Sequence, residues 1–297
     1  MHPALHGPPP SDHPAEAPDL RPMAGDRHFT HGPLSIAHRV SGQGPVHVLA
    51  FHGYGGSVRD FEPAVAAWGD RVTLHAFDLW FHGGSRFPPG RTVNEPVLPA
   101  EWRDLMQAYL DTHGIRRAWY SGFSLGGRLA LSLLEQLPDR SAGLLLFAPD
   151  GLVRNPWYRA LSRYRVGRQL YHRFLDHPEG WLRVVDNVHR LGLIGTRFHR
   201  FLTQHTDNPA KRQLVHDVWL SLRAIEPDLA VVARHLHAQD LHTHLHLGRF
   251  DKVIRLPWGR AFARRDPARI HLHVHERGHL LMAPPVLAPI PDLLHWA

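Results

Sequence analysis

From Trp119 to Leu131 the sequence reads WYSGFSLGGRLAL. Its first residues have the apolar and aromatic character of a buried strand, and its last residues have the apolar spacing of a helix. Between the two lies Gly-x-Ser-x-Gly, with Ser124 at its centre. Gly122 and Gly126 are required there because a Cβ at either position would clash with the neighbouring backbone. The pattern therefore predicts that Ser124 lies on a tight, strained turn between a strand and a helix.

This position gives the Ser124 hydroxyl a favourable chemical environment. The first amides of a helix lack partners within the helix, and together with the helix dipole they stabilise negative charge that develops nearby. Gly-x-Ser-x-Gly alone arises by chance in a glycine-rich chain, but a strand before it and a helix after it form the context of a nucleophile elbow. We therefore interpret Ser124 as a candidate nucleophile; the alternative is an ordinary turn serine.

The rest of the chain alternates between short strand-like runs and helix-like runs. Buried strands are predicted at Val46–Phe51, Val72–Phe77, Ala118–Ser121 and Leu144–Ala148. The apolar spacing of amphipathic helices occurs at Val58–Trp68 and Glu101–Thr112. Strands that alternate with helices in this way favour an α/β fold, with a mainly parallel sheet and helices on both of its faces.

The chain divides into three parts by composition and pattern. Residues 1–26 are rich in proline and poor in large apolar side chains, so we expect a disordered N-terminal tail. Residues 27–150 and 239–297 form the predicted core, in which strand-like runs return at Leu241–Leu247 and Ile270–His275. Residues 151–238 look helical and are far longer than an ordinary crossover connection, so we expect an inserted helical lid.

Four further motifs, together with the elbow, resemble those of the α/β-hydrolase superfamily from Phe29 to the C-terminus, with the lid region weakly matched. In chain order they are LAFHGYGGS (49–57), FDLWFHGGS (77–85), LGRFD (247–251) and ERGHL (276–280). The second departs from the family pattern Asp-x-Pro-Gly-x-Gly-x-Ser, because Trp80 and Phe81 stand in place of Pro-Gly. The resemblance implies an α/β-hydrolase fold with serine, acid and histidine in the family's chain order.

The resemblance also implies which side chains act with Ser124. The family's acid follows a strand in the pattern Gly-x-x-Asp, which corresponds here to Asp251. The family's base lies in the Gly-His loop near the C-terminus, which corresponds to His279. Asp150 is the alternative acid, because it also follows a strand and some members of the family place the acid there.

Backbone amides and two further side chains complete the implied site. The amides of Tyr54 and Leu125 would form the oxyanion hole of the family. Arg128 lies four residues after Ser124, so it returns near the same face of the helix, where it could bind a carboxylate of the substrate. The alternative for Arg128 is an ion pair with a nearby acid, or a solvated position. His52 is the second candidate for contact with substrate.

Three functions are compatible with these residues. The first is a serine hydrolase that cleaves an ester, thioester or related acyl bond of a small metabolite through an acyl-enzyme on Ser124, with His279 as base and Asp251 orienting it. The second is a lyase that uses the same triad on a carboxylate-bearing substrate, since Gly126-Gly127-Arg128 is also similar to the menaquinone-pathway synthase group of this superfamily. The third is a non-catalytic ligand-binding protein with this fold.

Composition excludes several other classes. The 297 residues include no cysteine, which excludes disulfides, a cysteine nucleophile and thiolate metal sites. The net charge of +7 comes from scattered arginines, and no apolar run reaches roughly 18 residues, so neither nucleic-acid binding nor stable membrane insertion is expected. The histidines alternating at 242–246 and 271–275 fit ordinary strands, and no metal or other cofactor is predicted. We expect a cytoplasmic protein with a small-molecule substrate, and the oligomeric state stays open.

Overall fold

The computed structural model describes residues 27–154, 178–193 and 208–294, together with residues 162, 164–167, 169 and 173. The expected tail at residues 1–26 lies outside the described residues, as does much of the expected lid at residues 151–238. The described part contains an eight-stranded sheet with helices packed against it. The predicted α/β class is therefore confirmed.

The sheet is mainly parallel. Its strands are β1 (Arg27–His31), β2 (Leu34–Ser41), β3 (Val46–Phe51), β4 (Val72–Phe77), β5 (Ala118–Phe123), β6 (Ser141–Phe147), β7 (His242–Gly248) and β8 (Ile270–His275). They lie side by side in the order β1-β2-β4-β3-β5-β6-β7-β8. β2 pairs antiparallel with β1 and with β4, and the other neighbouring pairs are parallel. Every strand predicted above is present, with ends shifted by at most a few residues, whereas the hairpin of β1 and β2 was not foreseen.

Helices connect the parallel strands. In chain order the described ones are α1 (Glu62–Trp68), α2 (Pro99–Thr112), α3 (Leu125–Gln136), α4 (Pro178–Arg190), α5 (Pro209–Ser221), α6 (Leu229–Ala238), α7 (Leu256–Ala263), α8 (Pro284–Leu287) and α9 (Ile290–Leu293). The helix predicted from Val58 begins at Glu62, because the four residues before it form a turn of 3₁₀ helix. None of the helices in these ranges is both long and apolar enough to cross a membrane.

The arrangement of the sheet determines where the functional loops meet. All residues of β4, β5 and β6 are buried, as expected for central strands of a sheet covered on both faces. α3 packs against β5, and Trp102 of α2 donates its indole N–H to the Leu129 carbonyl of α3 at 3.2 Å. Because β3, β5, β6, β7 and β8 run parallel, their C-terminal ends lie at one edge of the sheet, and the loops that follow them gather there.

Two helices of the region expected as a lid pack on the core instead. α6 contacts α3 and buries Val232 and Leu236 completely. The amide of Val97 donates to the carbonyl of Ser221, the last residue of α5, at 2.8 Å. The apolar residues of Leu229–Ala238 give α6 a face that packs against α3.

Candidate active site

Ser124 lies between β5 and α3 in the strained conformation that its sequence predicted. Its φ of 49° and ψ of −115° lie in a region that L-residues rarely adopt. The backbone around it is fully engaged: the Ser124 amide donates to Phe147 O at 3.0 Å, and its carbonyl accepts from Gly127 N at 2.9 Å and Asp150 N at 2.8 Å. The hydrogen bonds on both sides hold the strained turn in place, which fixes the direction of the serine side chain.

Two glycines allow this turn, as the sequence predicted. A Cβ on Gly122 would overlap the backbone of Gly126, and a Cβ on Gly126 would overlap the carbonyl of Phe51 at the end of β3. The absence of these side chains lets α3 approach both β5 and β3 closely. The loop after β3 is thereby brought against the elbow, since a Cβ on Gly53 would lie 3.2 Å from the Cβ of Ser124.

The structure brings Ser124, His279 and Asp251 into one hydrogen-bonded series. His279 Nε2 lies 3.0 Å from Ser124 Oγ, and His279 Nδ1 lies 2.8 Å from Asp251 Oδ2. The carboxylate oxygen can only accept, so the imidazole donates from Nδ1 and its Nε2 lone pair faces the serine hydroxyl. This is the tautomer in which the imidazole can take the proton of Ser124.

The Asp251 carboxylate is fully enclosed and has its own donors. Its side chain has no exposed surface, and its Oδ1 accepts from the amides of Val253 at 2.7 Å and Ile254 at 3.0 Å. The acid loop is also tied to the base loop, because the amide of Phe250 donates to the carbonyl of Arg277 at 2.9 Å. These bonds hold the carboxylate at a fixed position relative to the histidine loop.

Asp150, the alternative acid, lies elsewhere. Its Oδ2 forms an ion pair with the guanidinium of Arg128, and its Oδ1 accepts from the amide of Gly151 at 2.7 Å. The pair borders a small polar cleft that is lined by Arg128, Asp150, Gly151, Val153, Arg154, Glu226 and Pro227. No residue of the Ser124 series lines that cleft. The geometry therefore places Asp251 rather than Asp150 against His279, and it gives Arg128 the ion pair that the sequence left open as an alternative.

The two amides expected to form an oxyanion hole belong to Leu125, which follows Ser124, and to Tyr54, in the loop that lies against the elbow. Leu125 is the first residue of α3, and the amides of a first turn point out of the helix. On the other side, the carbonyl of Gly53 accepts from Gly56 N at 3.1 Å and lies 2.6 Å from His52 Nδ1. Because a trans peptide holds its N–H opposite its carbonyl, these bonds direct the Tyr54 amide away from the interior of its loop.

His52 is enclosed and braces the backbone. Its Nε2 accepts from the amide of Leu79 at 2.9 Å, so its Nδ1 carries the proton and donates to the carbonyl of Gly53. Burial lowers the pKa of His52 to about 4, which keeps the ring neutral near pH 7. Both ring nitrogens are bound to backbone and the residue has no exposed surface. This arrangement supports a structural role rather than the contact with substrate expected from the sequence.

The loop after β4 contains Trp80 and Phe81 where the family pattern has Pro-Gly, and hydrogen bonds tie it to its neighbours. Phe81 takes a φ of 68°, which a glycine would adopt without strain. The Trp80 indole donates to the carbonyl of Ser35 at 3.0 Å. The buried carboxylate of Asp78 accepts from the amides of Val58 and Gly84, both at 2.7 Å, and so joins this loop to the loop after β3.

The alternating histidines pair with one another across β7 and β8. The three Nδ1 to Nε2 distances are 2.8, 3.2 and 3.0 Å, for the pairs His242–His271, His244–His273 and His246–His275. Among the residues described, no group of three or more histidine, aspartate or glutamate side chains has the arrangement of a metal site. These histidines lie on β7 and β8.

Comparison with known proteins identifies a family. Residues 46–213, more than half of the chain, match the family described as alpha/beta hydrolase fold. This segment includes the loop after β3, the loop after β4 and the elbow at Ser124. It ends before the loops that carry Asp251 and His279.

Curated relatives match shorter segments. The 2-succinyl-6-hydroxy-2,4-cyclohexadiene-1-carboxylate synthase of Salmonella paratyphi C (strain RKS4594) is 31% identical over 136 residues, which are 46% of this chain and 51% of that protein. The (lyso)-N-acylphosphatidylethanolamine lipase of Homo sapiens is 35% identical over 115 residues, which are 37% of this chain and 32% of that protein. The chain thus spans about half or less of the length of these curated relatives.

Solved structures share the fold over most of the chain. A thermophilic esterase from Thermogutta terrifontis, with malate bound, has a TM-score of 0.64 and 21% identity, and the likeness covers 91% of this chain and 98% of that chain. At such an identity the likeness shows the fold alone. It extends beyond the segment of the family match and so includes most of the sheet.

Proposed function

The chain belongs to the α/β-hydrolase family, and from that premise we propose that it is a serine hydrolase acting on an ester, thioester or related acyl bond of a small metabolite. The observation that supports this most strongly is the hydrogen-bonded series of Ser124, His279 and Asp251 at the strained elbow.

Acylation follows from the tautomer of the histidine. Ser124 Oγ attacks the carbonyl carbon of the substrate while its proton passes to His279 Nε2, and the buried Asp251 carboxylate stabilises the imidazolium that forms. The carbonyl oxygen becomes an oxyanion and accepts from the amides of Tyr54 and Leu125. When the tetrahedral intermediate collapses, the bond to the leaving group breaks and the leaving group takes the proton from His279.

Deacylation uses the same groups, with water as the nucleophile and Ser124 as the leaving group. Water gives a proton to His279 Nε2 as its oxygen attacks the acyl carbon, and the oxyanion returns to the same two amides. Collapse of this second intermediate releases the carboxylic acid and returns the proton to Ser124. The His279 side chain is 23% exposed, so water can reach it.

The direct test is to label the purified protein with a fluorophosphonate probe beside a panel of p-nitrophenyl esters of increasing chain length. We expect labelling and turnover in the wild type and neither in Ser124→Ala, which should fold normally because a small side chain is removed at a turn. Ser121→Ala is the matched control: this buried serine lies three residues earlier in β5 and should be dispensable for labelling. Retained hydrolysis in Ser124→Ala would reject the assignment, and absence of labelling in the wild type would favour the ligand-binding alternative.

A second candidate function is a lyase with the same triad. The observation in its favour is the 31% identity to the cyclohexadiene-carboxylate synthase over 136 residues. In this hypothesis Arg128 holds a carboxylate of the substrate, whereas in the structure it is paired with Asp150. Arg128 is therefore the residue that separates the two candidates. For either one we propose a cytoplasmic location, which fractionation of cells producing the protein would test.

A further inference from the structure

A second buried histidine, His82, joins the loop after β4 to the loop after β3. Its Nε2 accepts from the amide of Gly55 at 3.0 Å, across 27 positions of the chain. Its Nδ1 lies 3.0 Å from the carbonyl of Trp80, so the ring donates there and its tautomer is set by both contacts. The residue has no exposed surface. No feature of the sequence singled out this histidine, because its partner is brought to it by the fold.

The bond to Gly55 acts on the peptide next to the expected oxyanion donor. Two consecutive peptide planes flank the α-carbon of Tyr54. The first, Gly53–Tyr54, is held through its carbonyl by His52 Nδ1 at 2.6 Å and Gly56 N at 3.1 Å. The second, Tyr54–Gly55, is held through its N–H by His82. With both planes fixed, the backbone angles of Tyr54 are fixed, and with them the direction of its amide.

The loop needs this support because of its composition. Gly53, Gly55 and Gly56 surround Tyr54, and Gly55 takes a φ of 73°. Glycines leave a backbone with many accessible conformations in the absence of restraints. A loop that must present an amide to a reacting oxygen is useful only when it is preorganised, since reorganisation during the reaction would consume the stabilisation.

His82 and His52 exchange hydrogen bonds between the same two loops. His52, from the loop after β3, accepts from the amide of Leu79 in the loop after β4. His82, from the loop after β4, accepts from the amide of Gly55 in the loop after β3. Their rings meet edge to face with centroids 4.9 Å apart. Movement of either loop would break both bonds and this ring contact, so the two loops behave as one unit.

We propose that His82 is a positioning residue for the oxyanion hole, which acts by holding the Tyr54–Gly55 peptide in the orientation required for the Tyr54 amide to face the acyl oxygen. The inference rests on the proposed hydrolase function. Burial and the neighbouring His52 lower the pKa of His82 to about 3, so its Nε2 keeps the lone pair that accepts from Gly55. His82 thus helps to stabilise the transition state by orienting the Tyr54 amide, and it does not contact the substrate.

The test compares three variants in ester hydrolysis. His82→Ala should lower kcat by about ten- to a hundredfold and leave KM within about twofold, because the oxyanion exists in the transition state and not in bound substrate. His82→Gln places an amide oxygen near the position of Nε2 and should restore a large part of the lost kcat. His75→Ala removes another buried histidine, from β4, and should leave kcat unchanged even where it lowers the melting temperature.

Amide hydrogen exchange supplies a readout that does not depend on activity. Exchange at residues 54–56 should be faster in His82→Ala than in wild type or His75→Ala, and His82→Gln should bring it back toward the wild-type rate. If the wild type shows no turnover that depends on Ser124, the hydrolase proposal fails. The exchange data then still report whether the His82–Gly55 hydrogen bond restrains residues 54–56. A His82→Ala protein with unchanged exchange, or with kcat within about twofold of wild type, would overturn the inference.

Discussion

The guanidinium of Arg128 lies against the Asp150 carboxylate, and 11% of the arginine side chain is exposed. The Asp150 carboxylate already neutralises the guanidinium, so binding of a substrate carboxylate to Arg128 gains less than it would at an unpaired arginine. The cleft beside the pair is also lined by Val153 and Pro227. This placement favours a structural role for Arg128 beside the cleft.

A substitution of Arg128 tests that role. We expect Arg128→Ala to lower the free energy of unfolding by about 1–2 kcal/mol, because the partly buried Asp150 carboxylate loses its partner. The kcat/KM values for a neutral p-nitrophenyl ester and for a p-nitrophenyl ester with a free carboxylate should change by the same factor. Asp150→Asn is the control that breaks the ion pair and keeps the arginine. A selective rise in KM for the carboxylate-bearing ester in Arg128→Ala would instead support the lyase candidate.

The close approach of α3 to β3 links the stability of the fold to the geometry of the site. A Cβ on Gly126 would overlap the Phe51 carbonyl, so any side chain there must push the helix away from the strand. The loop that carries Tyr54 follows that strand directly. A shift of α3 relative to β3 therefore moves one expected oxyanion donor, Leu125, relative to the other.

Gly126→Ala should accordingly impair both folding and chemistry. We expect a loss of about 2 kcal/mol or more in the free energy of unfolding, measured by urea denaturation, and a lower kcat with KM little changed. Gly180→Ala is a matched control in the first turn of α4, where nothing lies within 4 Å of the added Cβ. That substitution should be neutral or stabilising by up to about 1 kcal/mol. Equal effects of the two substitutions would contradict the role given to the close approach.

At the scale of the whole molecule, buried neutral histidines are spread over the sheet and the site loops. Loss of hydration on burial is the main cause of their low pKa values, and neighbouring histidines add to the effect in most of them. The pKa is lowered to about 4 in His38, His52 and His244, and to about 3 in His75 and His82. These side chains would titrate near pH 6.5 in the unfolded chain.

The protein should therefore lose stability in mild acid. Below pH 6.5 the unfolded chain binds protons that the folded protein does not. The free energy of unfolding is therefore highest above pH 6.5 and falls as the pH drops toward 4 to 3. Each of these histidines lowers the free energy of unfolding by about 1.4 kcal/mol per pH unit over this range. Urea melts between pH 8 and pH 5 would measure the slope. His38→Phe keeps ring packing on Phe77 and Tyr109 without a titrating group, and should make the slope shallower by about one proton, whereas an unchanged slope would contradict the assignment.

Strands, helices and the elbow were predictable because their signals are local. The apolar runs of β3 and β4 coincide with the observed bounds, since burial on both faces leaves a nearly continuous apolar pattern. The turn at Ser124 was predictable from two glycines within two residues of it. The hairpin of β1 and β2 gave no such pattern, because β1 lies at the edge of the sheet and is largely exposed.

The fold class and the candidate side chains of the site follow from the sequence, because periodicity and the strand, turn and helix around Ser124 depend on near neighbours in the chain. It is the three-dimensional fold that sets Asp251 against His279 and Asp150 against Arg128. It also turned His52 inward and placed His82 on Gly55. The physical reason is that a hydrogen bond is specific at about 3 Å, and the loops that make these bonds are brought to that distance only when the parallel strands align their C-terminal ends.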